Sequence, residues 1–214
     1  LPLGILPMGT ANDLARTLVI PFDISEAALV IIRGHTTNID LGWVNGKHFL
    51  NVASIGLAAQ ITRTLTRRVK KIWGVLAYPL CLYDAFKVNR PFLANITCNG
   101  TSKSIRSIQI AVGNGRHYGG GLTVHQDSRI DDHRLHLYSL EPQSVSELIK
   151  TVPSILTGSF TERQRVWLMK GQDIKITTSA RMQLTTDGEL TSRTPAHFKV
   201  KIAALPVFVP SGNE

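Results

Sequence analysis

The chain has 214 residues, 43% of them hydrophobic, and 24 Lys and Arg stand against 15 Asp and Glu for a net charge of +9. That length and hydrophobic content allow a sizeable core in one or two domains and exclude a disordered chain; the charge favours anionic partners such as nucleotide phosphates, lipid headgroups or nucleic acid. Two cysteines, Cys81 and Cys98, make neither a disulfide framework nor a metal-ligand spacing, which fits a reducing cytoplasm, and no transmembrane or signal pattern is found.

In chain order, Leu3, Ile5 and Leu6 read as the end of a buried strand, Pro7 to Thr10 as a tight turn, and Ala11 as the start of a helix with Asp13 in its first turn. Strand, glycine turn and helix form a phosphate cradle, because unpaired N–H groups at a helix start favour anions and Gly9 lets a ligand approach the backbone. The plain alternative is an ordinary strand-to-helix loop with Thr10 as N-cap. Leu18 to Pro21 ends that helix, and Ser25 to Arg33 makes a second one closed by Gly34. The period then changes to that of strands. Thr37 to Val44 and Lys47 to Ala53 flank Asn45-Gly46, a type I′ hairpin signal, so a domain boundary is expected near residue 35.

Gly56 to Val88 reads as a long helical region, with Ile61, Leu65, Val69, Ile72, Leu76 and Leu80 at helical spacing and Pro79 to kink or end it. Its Arg63, Arg67, Arg68, Lys70 and Lys71 form either a surface for anionic membrane or a solvated face. From Ala94 to Val112, two alternating runs flank a second hairpin signal, Asn99-Gly100. Gly113-Asn114-Gly115 and Gly119 to Gly121 then give a loop whose backbone can pass near a ligand, with His117 and Tyr118 at its tip. Asp127, Asp131 and Asp132 form an acidic stretch that suits a hard cation such as Mg²⁺, or a polar turn before the strand Leu135 to Leu140. A short helix over Pro142 to Gly158 opens on a capping box, Ser144 with Glu147. Arg165 to Leu168, Asp173 to Thr178 and Met182 to Thr186 follow as strands. The last delivers Asp187-Gly188-Glu189 to a sharp turn, placed like a general base and its partner or like a plain Asp-Gly hairpin.

Gly9-Thr10-Ala11-Asn12-Asp13-Leu14-Ala15-Arg16 resembles the GTxNDxAR block of the diacylglycerol kinase catalytic family, especially its bacterial lipid kinase branch. Further blocks occur in the family's order: Asn114-Gly115-Arg116-His117-Tyr118 with the glycines to Gly121, Asp131-Asp132 with Leu135, and Asp187-Gly188-Glu189 before a hydrophobic C-terminus ending in Val209-Pro210. Family members carry a GGDGT phosphate loop upstream of GTxND, so the chain is expected to be a fragment lacking that part. The fold implied is an α/β tail of a nucleotide-binding domain, residues 1–35, followed by a mainly antiparallel β-sandwich lipid and catalytic domain, residues 36–214, with a long helical insertion and the active site between the two.

The activity implied is transfer of the γ-phosphoryl group of ATP to a lipid hydroxyl, diacylglycerol-like, with ATP and Mg²⁺ as cofactors. The substrate would be a membrane lipid met at the inner membrane surface from the cytoplasm, with no nucleic acid partner. By the same resemblance Gly9 and Thr10 touch phosphate, while Asn12, Asp13 and Arg16 hold the loop or complete the metal and phosphate shell. Asp187 and Glu189 are the catalytic candidates, and which of them is the base stays open. A structural Mg²⁺ would lie between the Asp132 carboxylate and carbonyls near Arg129 and Arg134, although the family's glycine after that aspartate is His133 here. The lipid would enter the sandwich along apolar residues from Leu57 to Tyr83. Activity is not expected of these 214 residues alone. Two other readings stay open: a non-catalytic basic β-sandwich binding anionic lipid, and a related kinase acting on a sphingoid base or a nucleotide.

Overall fold

The structure, a computed structural model, describes residues 1–9, 11–57, 90–118, 122–123, 128–142 and 166–212. Thr10, the helical region expected over Gly56 to Val88 except Gly56 and Leu57, the helix expected over Pro142 to Gly158 except Pro142, Cys81, Gly119 to Gly121 and Asp127 lie outside the described residues, and Gly56 ends a strand rather than starting a helix. Two short helices open the chain. α1 (Asp13–Thr17) is only five residues long, because Asn12 before it takes a left-handed conformation and the turn at Leu18 closes it. It therefore starts two residues later than the sequence pattern places it. α2 (Ile24–Arg33) is capped by the side chain of Asp23, which accepts from the amides of Ser25 and Glu26, and ends on Gly34 at φ 76°. A glycine adopts that conformation without a Cβ penalty.

Strands dominate the rest. β1 (Thr36–Val44) turns through Asn45 and Gly46 into β2 (Lys47–Phe49), and β3 (Val52–Gly56) follows. β4 (Phe92–Cys98), β5 (Thr101–Ser107), β6 (Gln109–Gly113), the short pair β7 (His117–Tyr118) and β8 (Leu122–Thr123), and β9 (Leu135–Leu140) come next. β10 (Val166–Gly171), β11 (Asp173–Thr178), β12 (Gln183–Thr186), β13 (Glu189–Arg193) and β14 (Ala196–Phe208) complete the chain. One six-stranded sheet runs β2-β1-β14-β11-β4-β5 and the other β10-β9-β6-β3-β12-β13, every ladder being antiparallel. The mainly antiparallel sandwich expected from the sequence is the fold observed. Its core joins Phe49, Phe198, Ile96, Ile174 and Ile176 from the first sheet to Ile55, Ile110, Leu135, Leu137 and Leu184 from the second. Inward residues alternate with outward ones along β4, as a strand with one covered face requires.

The run Lys47 to Ala53 is not the single strand its alternation predicts. It breaks at Leu50 and Asn51, so β2 lies in one sheet and β3 in the other. Both amides at the break find a carboxylate instead of a neighbouring strand, as described below. A second apolar cluster gathers Ala15, Leu18, Ile20 and Ala27 with Ile39, Ile130, Val207 and Val209, drawing on chain segments on both sides of residue 35. Leu3 bridges Val207 in parallel, its amide donating to Pro206 O at 2.8 Å while the Phe208 amide donates to Leu3 O at 3.0 Å. The last strand thus continues past the sandwich and pairs with the first residues of the chain.

Candidate active site

Asn12 organises the first motif. Its left-handed backbone turns the side chain back on the loop, where Oδ1 accepts from the Gly9 amide at 2.9 Å and Nδ2 donates to Gly9 O at 2.9 Å and to Pro7 O at 3.3 Å. A Cβ at Gly9 would stand 3.0 Å from that Oδ1, so the clamp needs the glycine. Asp13 stands in the first turn of α1. Arg16 donates through Nε to Ala11 O at 3.1 Å and lays its guanidinium over the Phe22 ring, 4.8 Å from the centroid. Asn12 and Arg16 thereby hold the loop, one of the two roles their motif implies.

α1 reaches the second motif through Thr17, whose hydroxyl lies 3.3 Å from Nδ1 of His117 on β7. Burial lowers the His117 pKa below its ordinary value; Arg116 and Arg16 push it the same way and Asp13 opposes them. Three residues earlier, the fully buried Asn114 donates through Nδ2 to Asp40 O at 2.8 Å and to Leu50 O at 3.1 Å, and its amide donates to Asn51 O at 2.8 Å.

The third motif meets the same segment. Asp187 and Gly188 are the two central residues of the β12–β13 hairpin, at φ 47° and 83°, the type I′ geometry that Asp-Gly prefers. The plain reading of this turn is therefore true, and it positions a carboxylate. Asp187 accepts from the amides of Leu50 at 2.7 Å, Asn51 at 2.9 Å and Val52 at 3.1 Å, while its own amide donates to Val52 O at 2.9 Å. These are the amides left over where the chain crosses between sheets. Leu50 also packs against the cluster containing Ala15 and Leu18 of the first motif. Asp187 and Asn114 therefore converge on residues 50–52 through direct hydrogen bonds, and the first motif shares with Leu50 only the apolar cluster that holds Ala15. Glu189 opens β13 with an exposed side chain. Asn51 Oδ1 and Asn114 Oδ1 are buried acceptors without a donor among the described residues, so a polar group bound beside them gains a hydrogen bond.

The acidic turn is built differently from its expectation. Asp132 Oδ1 accepts from the Arg134 amide at 3.0 Å; Oδ2 accepts from the Arg129 amide at 3.3 Å and lies 2.6 Å from Nε2 of His136. Arg129 and Arg134 thus offer this carboxylate their N–H groups, and His136 faces it with a ring nitrogen. Three donors, one of them an imidazole, meet the Asp132 carboxylate where the resemblance places a Mg²⁺, and among the described residues no three His, Cys, Asp or Glu side chains gather for a metal ion. Burial raises the Asp132 pKa, but the bond and charge of His136 and the two amides outweigh it, leaving the carboxyl below its ordinary value. Arg129 also forks onto Asp131 at 2.9 and 3.0 Å.

Asp40 was missed by sequence reasoning. It lies at a bulge in β1, fully buried, and its carboxylate accepts from the amides of His133 at 2.7 Å and Ala203 at 2.8 Å. The signal available was a carboxylate interrupting the apolar strand Ile39-Asp40-Leu41.

Comparison with known proteins follows this geometry. Residues 51–209 match the family described as the YegS C-terminal NAD kinase beta sandwich-like domain, and residues 1–44 match the diacylglycerol kinase catalytic domain. Proteins named diacylglycerol kinase from Staphylococcus aureus strains JH9 and Newman are each 30% identical over 209 residues, 98% of this chain. The chain spans 66% of the length of these relatives. A solved structure from Bacillus anthracis str. Sterne superposes with a TM-score of 0.81 at 26% identity, covering 98% of this chain and 68% of that one. A second from the same organism, described as a diacylglycerol kinase, shares the fold at a TM-score of 0.75 and 24% identity, covering 98% and 67%.

Proposed function

The chain belongs to the diacylglycerol kinase family, with a YegS-type sandwich over residues 51–209, and from that membership we propose that it serves ATP-dependent transfer of a γ-phosphoryl group to the hydroxyl of a diacylglycerol-like membrane lipid. The observation that carries this reading is the meeting of Asn114 and the Asp187 turn on residues 50–52, with Leu50 packed against the cluster that holds Ala15 of the glycine-loop motif. Phosphoryl transfer asks a protein mainly for positioning and charge stabilisation, and two loops hydrogen-bonded to one short connection supply positioning.

In this mechanism Gly9, Thr10 and Asp13 line the phosphates of Mg-ATP as co-substrate, on a loop kept in shape by Asn12 and Arg16. Asp187 and Glu189 face the lipid hydroxyl. A carboxylate has about four lone-pair sites, and three amides occupy three at Asp187, which leaves one to accept the hydroxyl proton as the phosphoryl group departs from ADP. Glu189 adds negative charge next to it. In this reading residues 1–35 belong to an α/β nucleotide domain and residues 36–214 to the lipid domain. The enzyme works at the cytoplasmic membrane surface in lipid metabolism, favoured there by a net charge of +9.

The test is a Mg-ATP phosphorylation assay on the full-length protein with diacylglycerol in mixed micelles. Asp187→Asn is expected to lower kcat by about 10²- to 10⁴-fold, the range for losing a positioned base, with the fold checked by circular dichroism. A folded Asp187→Asn protein with unchanged turnover removes Asp187 from the chemistry; no lipid phosphorylation by the parent removes the reading itself.

A further inference from the structure

The turn from Arg129 to His136 sits beside the converging loops: His136 on β9 pairs with Gly113 on β6, and Asn114 follows it. Family resemblance places a cation in this turn, where the described geometry instead brings amide and imidazole donors to the carboxylates. Two carboxylates meet the segment. Asp132 is held by two amides and by Nε2 of His136, whose side chain is 7% exposed. Asp40, with a side chain 2% exposed, is held by the amides of His133 and Ala203, and Nδ1 of His133 lies 3.2 and 3.3 Å from its two oxygens.

A buried carboxylate needs compensating donors or charge, and a divalent cation is one way to supply them. Imidazole is another. Because an ionised carboxylate only accepts, the ring nitrogen facing each one carries its proton. His133 occupies the position where the family pattern has glycine, and it keeps the glycine's left-handed backbone at φ 61°. That conformation is strained for a residue with a Cβ. Here the same residue's amide and ring both bond Asp40, so the strained geometry is held by the carboxylate it serves.

We propose that His133 and His136 replace a structural cation in this turn, so that the Asp40–His133 pair, and no Mg²⁺, ties residues 129–136 to β1, while the Asp132–His136 pair closes the turn onto β9. The tie reaches further through Gln172, whose side-chain amide donates to His133 O at 3.1 Å, and through the Asp40 amide, which donates to Ile130 O at 2.8 Å. Nothing in this inference rests on the phosphoryl-transfer reading, and its test needs no turnover.

The experiment is thermal unfolding of the whole chain without nucleotide, in EDTA and in millimolar MgCl₂, together with calorimetric titration of MgCl₂ alone. The expected result is a Tm that does not differ between the two conditions and no binding heat assignable to Asp132. A cation present at about one hundred times its dissociation constant would instead raise Tm by roughly 5–10 °C. Such a rise, abolished in Asp132→Asn, overturns the proposal; a rise that survives Asp132→Asn reports a cation elsewhere and leaves the proposal standing. His136→Leu should lower Tm clearly, and His136→Gln, which keeps an N–H donor, should lower it less. If His136→Leu leaves Tm unchanged, the pair does not hold the turn and the proposal fails. If that variant does not fold, the magnesium titration of the parent still decides.

Discussion

Asp187 accepts from three consecutive amides, so an amide side chain cannot replace it: Asn would present one acceptor oxygen and turn an NH₂ group toward N–H donors. Asp187→Asn should therefore lower turnover and also loosen the 50–52 connection, visible as faster hydrogen exchange at the amides of Leu50 and Val52. Glu189→Gln is expected to leave those exchange rates unchanged, because Glu189 makes no contact with that connection among the described residues. A second residue-scale consequence concerns His117. Its folded pKa lies below the ordinary imidazole value, so the unfolded chain binds more protons in the window between that lowered value and about 6.5. The stability it contributes is fully present above about pH 6.5 and is lost as the pH falls through the lowered value. Titration of the His117 ring by NMR should give a midpoint below that of a free imidazole, and His117→Asn should remove this part of the pH slope.

The elements show where local pattern was sufficient and where it was overruled. α2, the Asn45-Gly46 and Asn99-Gly100 turns and the strand Leu135 to Leu140 were legible, because each is decided by residues adjacent in the chain. Replacing the α2 cap, Asp23→Ala, should cost about 1 kcal/mol, a fall in Tm of about 2–4 °C measured by calorimetry. Lys47 to Ala53 was misread as one strand because no Gly or Pro interrupts the run at Leu50 and Asn51. The carboxylate that breaks the strand is contributed 137 positions away from Leu50, which no local pattern could announce. Asp40 went unseen for the same reason: only β14, the Ile130 carbonyl and His133 reveal why an acidic residue is tolerated inside β1. The acidic stretch at Asp131-Asp132 was noticed, but its partner His136 lay in the following strand and was read only as part of that strand.

At the scale of the whole molecule, the two sheets share one core, and the largest fully buried side chains include Phe49 and Phe198, which meet edge to face with centroids 6.5 Å apart. Phe198→Ala should destabilise the protein by about 3–5 kcal/mol in chemical unfolding, since the cavity would open between both sheets. The same substitution should weaken ligand binding only through the fraction unfolded, because Phe198 touches none of the converging loops. Among the described residues no helix is long and apolar enough to cross a membrane. By itself the sequence determined the family, through blocks whose residues are contiguous, and the sandwich class, through alternation and Asn-Gly turns that act over a few residues. Only the tertiary structure decided that the Asp187 carboxylate serves residues 50–52 and that His133 and His136 face Asp40 and Asp132. Those pairings are set by which strands become neighbours, and neighbours across a sandwich are chosen by the burial of the whole core rather than by any stretch of chain.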